Sequence, residues 1–177
     1  MMNLPYFRYH PDPIASRAIE QKAGRCICCN KQVDYLYVAS RYSTRDGGGN
    51  LCPWCIADGS AHSKYGIEFS DPTPLIDAGL SSSIVSEVTT RTPGYISWQQ
   101  EIWLAHCNDA CAFLGDATYE SIKHITPGEK AVFIQFHGIT EEWFDDMVER
   151  YVPGTQPAIY HFRCLHCGLD RFGMDYT

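Results

Sequence analysis

Apolar and polar positions follow two periods along the chain, and each holds only over short stretches. Val33–Ala39 (VDYLYVA) and Pro157–Arg163 (PAIYHFR) are dense in β-branched and aromatic residues, and both predict strands. Over 139–151 the period lengthens. Trp143, Phe144, Met147, Val148 and Tyr151 recur at helical spacing, with Glu141, Glu142, Asp145, Asp146 and Glu149 on the opposite face. Thr140 can cap this helix, Glu141 and Glu142 suit its positive end, and Ile139 can staple onto Phe144.

Weaker patterns fill the remainder. Leu4–Tyr9 reads as an extended entry stopped by His10-Pro11-Asp12-Pro13, and Asp46–Asn50 (DGGGN) is a turn. Helices are expected over Ile56–Lys64, with Pro53 near its first turn, over Ser82–Thr90, ended by Pro93-Gly94, and over Asp116–Ile125. Tyr95–Leu104 is a candidate strand, and Ala131–Phe136 fits either type. The Pro-rich Ser70–Pro74 is the best internal boundary. It divides one unit, 1–177, into a ribbon-like lobe, 1–72, and a mixed lobe, 73–177. The expected class is a small two-lobed α+β fold.

Composition is that of a globular protein, 45% hydrophobic and 20% charged. The longest apolar run falls far short of the roughly 20 residues that a membrane span needs. The opening MMNLPYFRYHPDP lacks a basic stretch followed by an apolar one, so a cytoplasmic location is expected. Charge is uneven. Residues 1–66 carry eight Lys/Arg against five Asp/Glu, whereas 67–177 carry six against sixteen. A surface of that sign repels phosphate backbones and attracts basic proteins.

Nine cysteines change the picture most. In a reducing compartment, cysteines at regular spacing are metal ligands or redox centres more often than disulfides. Cys26-x-x-Cys29 and Cys52-x-x-Cys55 stand 22 residues apart. Each knuckle aims two sulfurs at one point, two knuckles complete a tetrahedron, and a hairpin between them can bring them together. Zinc is the expected ion. Cys28 is either a spare thiol or the ligand in place of Cys26. Two rivals fit the same residues: a glutaredoxin-type pair at Cys52-Pro53-Trp54-Cys55, and four-thiolate iron. The first is disfavoured by the Gly-rich loop before it and by the waiting second knuckle.

A second set combines Cys107-x-x-x-Cys111 with Cys164-x-x-Cys167. Gly168 allows the left-handed turn that a knuckle often needs, and Asn30 can serve the first knuckle in the same way. At i and i+4 of a helix, Cys107 and Cys111 can face one ion. His106, His161 and His166 are the alternative donors. The expectation is therefore two structural zinc ions on Cys26, Cys29, Cys52, Cys55, Cys107, Cys111, Cys164 and Cys167. Eight thiolates leave no open position for water, so catalysis at the metal is not expected. H-E-x-x-H, H-x-E with P-C-x-x-C, G-x-S-x-G and a phosphate-binding Gly loop are all absent from the sequence. Asp145 and Asp146 beside Glu142 read as the solvated face of a helix rather than as a catalytic pair.

Four strings together resemble the CbrC-like family, a bacterial family named for a colicin-tolerance protein. They are LPYFRYHPDP (Leu4–Pro13), LCPWCIADGSA (Leu51–Ala61), the Ile96–Asp116 stretch with ISWQQEIW, HC, DAC and FLGD, and YHFRCLHCG (Tyr160–Gly168). The resemblance covers essentially the whole chain. It implies a cytosolic bacterial protein linked to tolerance of DNA-cleaving bacteriocins. The leading expectation is a non-enzymatic interaction protein that meets a basic toxin or nuclease, with Glu141, Glu142, Asp145 and Asp146 as the docking face. The alternative is a nucleic-acid-binding zinc ribbon, in which Arg17, Lys22, Arg25, Lys31, Arg41 and Arg45 surround Tyr35, Tyr37 and Tyr42; the net charge of −7 opposes it. An unrecognised enzyme stands third.

Overall fold

The structure, a computed structural model, describes residues 3–176. After an irregular entry, β1 (Ile19–Arg25) and β2 (Gln32–Tyr37) form an antiparallel hairpin with a bulge between Gln21 and Gly24. A short strand β3 (Tyr42–Ser43) follows, then helices α1 (Pro53–Ala57) and α2 (Ser60–Tyr65), and strand β4 (Ile67–Glu68), which pairs with β3. One helix was expected over Ile56–Lys64. Gly59, at φ 76°, breaks it in two, because that left-handed conformation cannot continue a right-handed helix.

Helix α3 (Thr73–Asp77) leads to α4 (Ser82–Arg91), whose first turn is capped by the Ser81 hydroxyl accepting from the Ile84 N–H. The expected strand over Tyr95–Leu104 does not form; residues 95–104 contain no strand. Tyr95 and Trp103 are buried, whereas Ile96 and Trp98 stand exposed. Asp175 holds the turn between them, accepting from the Ser97 hydroxyl and from the N–H groups of Trp98 and Gln99.

Next comes a tight hairpin of β5 (Ala105–His106) and β6 (Asp109–Ala110). Strand β7 (Ala112–Asp116) begins a three-stranded antiparallel sheet that β8 (Ala158–Arg163) and β9 (Asp170–Asp175) complete, in the order β7-β8-β9. Between β7 and β8 lie three helices, α5 (Tyr119–Lys123), α6 (Pro127–His137) and α7 (Glu141–Arg150). Thr118, Thr126 and Thr140 cap them in turn, each hydroxyl accepting a backbone N–H three residues on. The ambiguous Ala131–Phe136 lies within α6.

Buried residues gather in three groups. One lies around the β1–β2 hairpin, α1 and α2 (Ile19, Leu36, Leu51, Ile56). A second, aromatic group lies on one face of the sheet (Tyr95, Trp103, Phe113, Phe162). A third packs α6 and α7 against the sheet (Phe133, Phe144, Met147, Phe172). The entry segment laces the first two, because Phe7 is buried in one and Tyr9 in the other. The Phe113 N–H donates to the Tyr9 carbonyl at 2.8 Å. The molecule is thus mixed α+β, with one Cys/His cluster in each half.

Candidate metal centres

The β1–β2 hairpin places the first knuckle at its tip. Cys26 follows β1 directly, Asn30 turns the chain at φ 61°, and β2 begins at Gln32. Strand β2 runs back until Tyr37 bridges Leu51, and the Ile27 N–H donates to the Asn50 carbonyl. These contacts bring Cys52, the N-cap of α1, and Cys55, within α1, onto the knuckle. The donor atoms of Cys26, Cys29, Cys52 and Cys55 all lie within 4.8 Å of one another. Cys26 to Cys55 and Cys29 to Cys52 are each 3.9 Å between sulfurs. A tetrahedron with Zn–S bonds of ~2.3 Å has an edge of ~3.8 Å, whereas a disulfide is ~2.05 Å. The spacing is that of four ligands around one ion.

Metal binding draws on thiolates, and hydrogen bonds within the site favour that form at one cysteine. The Cys52 thiol donates toward Cys26 and, with knuckle N–H groups, holds Cys26 well below the usual thiol range. Cys52, which keeps that proton, is pushed far up, and burial raises Cys55 to about 12. Cys28 lies outside the cluster. Its sulfur stands 3.4 Å from the Ser60 hydroxyl, so the choice that the sequence left open falls to Cys26.

The second cluster is His106, Cys107, Cys164 and Cys167, again with all donor atoms within 4.8 Å. Cys111 is not in it. The expected i, i+4 helix is replaced by the β5–β6 hairpin, whose two turn residues, Cys107 and Asn108, have φ of 51° and 57°. Positive φ at both positions gives the tight primed turn that matches strand twist. The turn throws Cys107 outward, beside His106, and returns Cys111 to the interior. Cys111 is fully buried among the aromatic group, where burial pushes its thiol up to about 12. His106 Nδ1 lies 3.2 Å from the Cys107 sulfur and 3.4 Å from that of Cys167, with 3.8 Å between the two sulfurs. Gly168, at φ 73°, closes the second knuckle, and the Gly168 N–H donates to the Cys164 carbonyl. Burial pushes Cys164 up, but the N–H groups of Cys167 and His166 outweigh it and bring it to about 6.

Asp109, opposite His106 in the hairpin, ties this centre to the entry segment. Its carboxylate accepts from Arg8 at 2.6 Å, from the Tyr9 hydroxyl at 2.7 Å and from His166 Nε2 at 2.9 Å. Burial pushes Asp109 up, yet these bonds hold it below the ordinary carboxylate range. His166, a candidate donor from the sequence, is thus a partner of Asp109, and His161 pairs with Asp170.

The acidic face of α7 is exposed but largely engaged from within. Lys130 of α6 reaches Glu141 at 2.9 Å and Asp145 at 2.7 Å, and Arg150 pairs with Asp146 at 2.6 Å. Glu142 caps its own helix start, where N–H groups and the Thr140 hydroxyl hold its carboxyl low. The proposed stacking tyrosines are also partly used. Tyr37 is buried, and the Tyr42 hydroxyl donates to Glu101.

A cavity of about 470 Å³ opens between the entry segment and β7, lined by Ser16, Arg17, Trp98, Asp116 and Tyr160 among others. Behind this lining, Ser16 meets the buried His10 at 2.7 Å. The Pro93 carbonyl can only accept, so His10 Nδ1 carries the proton and Nε2 accepts from Ser16. Burial pulls His10 down to about 4, which makes it a weak base, and the pair acts as a clamp between the entry segment and Pro93.

Among the described residues, no helix is long and apolar enough to cross a membrane. The profile of the family described as "Uncharacterised protein family (UPF0167)" matches residues 4–176. A UPF0167 protein of Pseudomonas aeruginosa is 51% identical over 98% of both chains. UPF0167 proteins of Mycobacterium bovis and Mycobacterium tuberculosis are each 36% identical, over 98% of this chain and 94% of theirs. No solved structure matches. With donor sets at both ends of the matched span, the chain belongs to the UPF0167 family.

Proposed function

We propose that the chain is a non-enzymatic bacterial zinc protein, in which two structural ions hold a small α+β scaffold that meets a basic protein partner. The carrying observation is the pair of four-donor clusters with tetrahedral spacing. Four protein donors fill each coordination shell, which leaves no position for a zinc-bound water. Zinc suits the second set of three thiolates and one imidazole, a common structural combination, and iron of the rubredoxin kind would call for four thiolates there. Purified protein is expected to be colourless and to hold about two zinc ions per chain by elemental analysis. Iron-loaded red protein, or zinc near zero, would sink the reading.

The basic partner is supported by the excess of sixteen acidic over six basic residues in 67–177. Resemblance to a colicin-tolerance family suggests a bacteriocin nuclease as that partner. The exposed acids of α7 are the first surface to test, although Lys130 and Arg150 offset part of their charge. Changing Glu141, Glu142, Asp145 and Asp146 to Gln or Asn should leave zinc content unaltered. It should also cost only about 0–1 kcal/mol per exposed pair. In cells challenged with a nuclease bacteriocin, tolerance should fall, because steering by an acidic face sets the association rate. Full tolerance from that variant would remove α7 as the docking face.

A further inference from the structure

We propose that the second metal centre is a peroxide-reactive site, at which Cys107 and Cys167 are oxidised to a disulfide and the ion is released. The inference rests on the zinc reading above.

Two centres with the same sulfur spacing differ in access. In the first, Cys26, Cys52 and Cys55 are no more than 3% exposed and sit within a packed apolar group, and Cys29 is half-buried against it. In the second, Cys107 and Cys167 are both exposed to solvent, and only Cys164 is buried. Their sulfurs are 3.8 Å apart, on the tips of two separate turns. Closing to a disulfide bond of ~2.05 Å requires the two turns to approach by less than ~2 Å.

A small hydroperoxide supplies the oxidant. The Cys167 thiolate attacks one peroxide oxygen, the O–O bond breaks, and a sulfenic acid and hydroxide form. The Cys107 thiolate then attacks the sulfenic sulfur and expels a second hydroxide. Overall, two thiolates lose two electrons, one hydrogen peroxide gains them, and two hydroxide ions result. Only His106 and Cys164 would then remain as donors, too few to hold an ion there.

The fold need not follow it. Asp109 still bonds Arg8, Tyr9 and His166, which holds the β5–β6 turn against the Cys164–Cys167 knuckle without a metal. Trp103 Nε1 still donates to the Cys111 carbonyl beneath. The site is therefore built to empty locally and to refill on reduction.

The test uses the full chain carrying Cys28→Ser, which removes the half-buried thiol beside the first centre. Zinc per chain is measured first. Hydrogen peroxide is then added with a chromophoric chelator, and the thiols are mapped by mass spectrometry. The expected results are a baseline of two zinc ions, release of one, a Cys107–Cys167 linkage, and recovery with reductant and zinc. A baseline of one, with the second centre empty, fails the zinc reading and takes the proposal with it. A baseline of two with no release, with both ions released at one rate, or with Cys164 linked to Cys167, overturns the proposal and leaves the zinc reading standing.

Discussion

Replacing Cys55 with serine is expected to unfold the part of the molecule built on the β1–β2 hairpin, α1 and α2. The buried group there includes Cys26, Cys52 and Cys55 themselves, so its interior is assembled around the four-thiol cluster. Strands β1 and β2 are otherwise thinly supported. Four of the seven side chains of β1, Glu20 to Ala23, are exposed in one run. Apparent zinc-binding energies of about 10–16 kcal/mol for structural sites are comparable to the roughly 5–15 kcal/mol of a whole domain. Loss of one ligand should therefore abolish the cooperative unfolding of this part and bring zinc from about two per chain to about one. Cys28→Ser is the matched control. Its sulfur has only the Ser60 hydroxyl at 3.4 Å, so both zinc ions should remain and stability should change by less than about 1 kcal/mol. Urea unfolding with elemental analysis reads both. A Cys55→Ser protein with two ions and an unshifted midpoint would show that the first cluster does not carry the fold.

The second large effect separates His106 from Cys111. His106→Ala should strip the second ion, because three thiolates in a half-open site bind far less tightly than four donors. Cys111→Ala should keep both ions. Its thiol lies at zero exposure among Trp103, Phe113 and Phe162, and burial raises it to about 12, so it stays protonated. Removing it costs about 1 kcal/mol of packing, a lower midpoint with unchanged metal. If Cys111→Ala loses an ion and His106→Ala does not, the hairpin assignment is wrong and the thiol-only set is restored.

Much of the site was legible because a knuckle is a local object. C-x-x-C at 26/29, 52/55 and 164/167 needs only a tight turn or, at 52/55, a helix start to aim two sulfurs together, and spacing reports it directly. The fourth donor of the second centre was not local in that sense. Cys107 and Cys111 at i, i+4 suggest a helix, but the chain turns at Cys107–Asn108 with positive φ at both. Asn108 is a residue that tolerates this conformation, whereas cysteine is not, so only half of the turn was signalled.

The same contrast runs through the fold. Helix α7 declared itself by an apolar stripe and a threonine cap, and α4 by its Pro93-Gly94 stop. Strands β1 (IEQKAGR) and β9 (DRFGMD) were silent, since charged and small residues occupy positions that pairing with β2 and β8 alone makes extended. Tyr95–Leu104 erred the other way. Its aromatic residues suggested a strand, yet they are anchors that pack singly around a turn held by Asp175.

The lacing of the entry segment sets an order of events during synthesis. The first centre closes over 29 residues, from Cys26 to Cys55, and can form early on the growing chain. Arg8 and Tyr9 must wait for Asp109, 101 and 100 residues later, and Cys107 must wait a further 60 residues for Cys167. At roughly 5–20 residues per second, those intervals are several seconds each. On the zinc reading, a nascent chain thus carries one complete donor set, a dangling aromatic entry and, later, the thiol of Cys107 before Cys167 has emerged. The two donor sets are completed at separate moments, the first with Cys55 and the second only with Cys167.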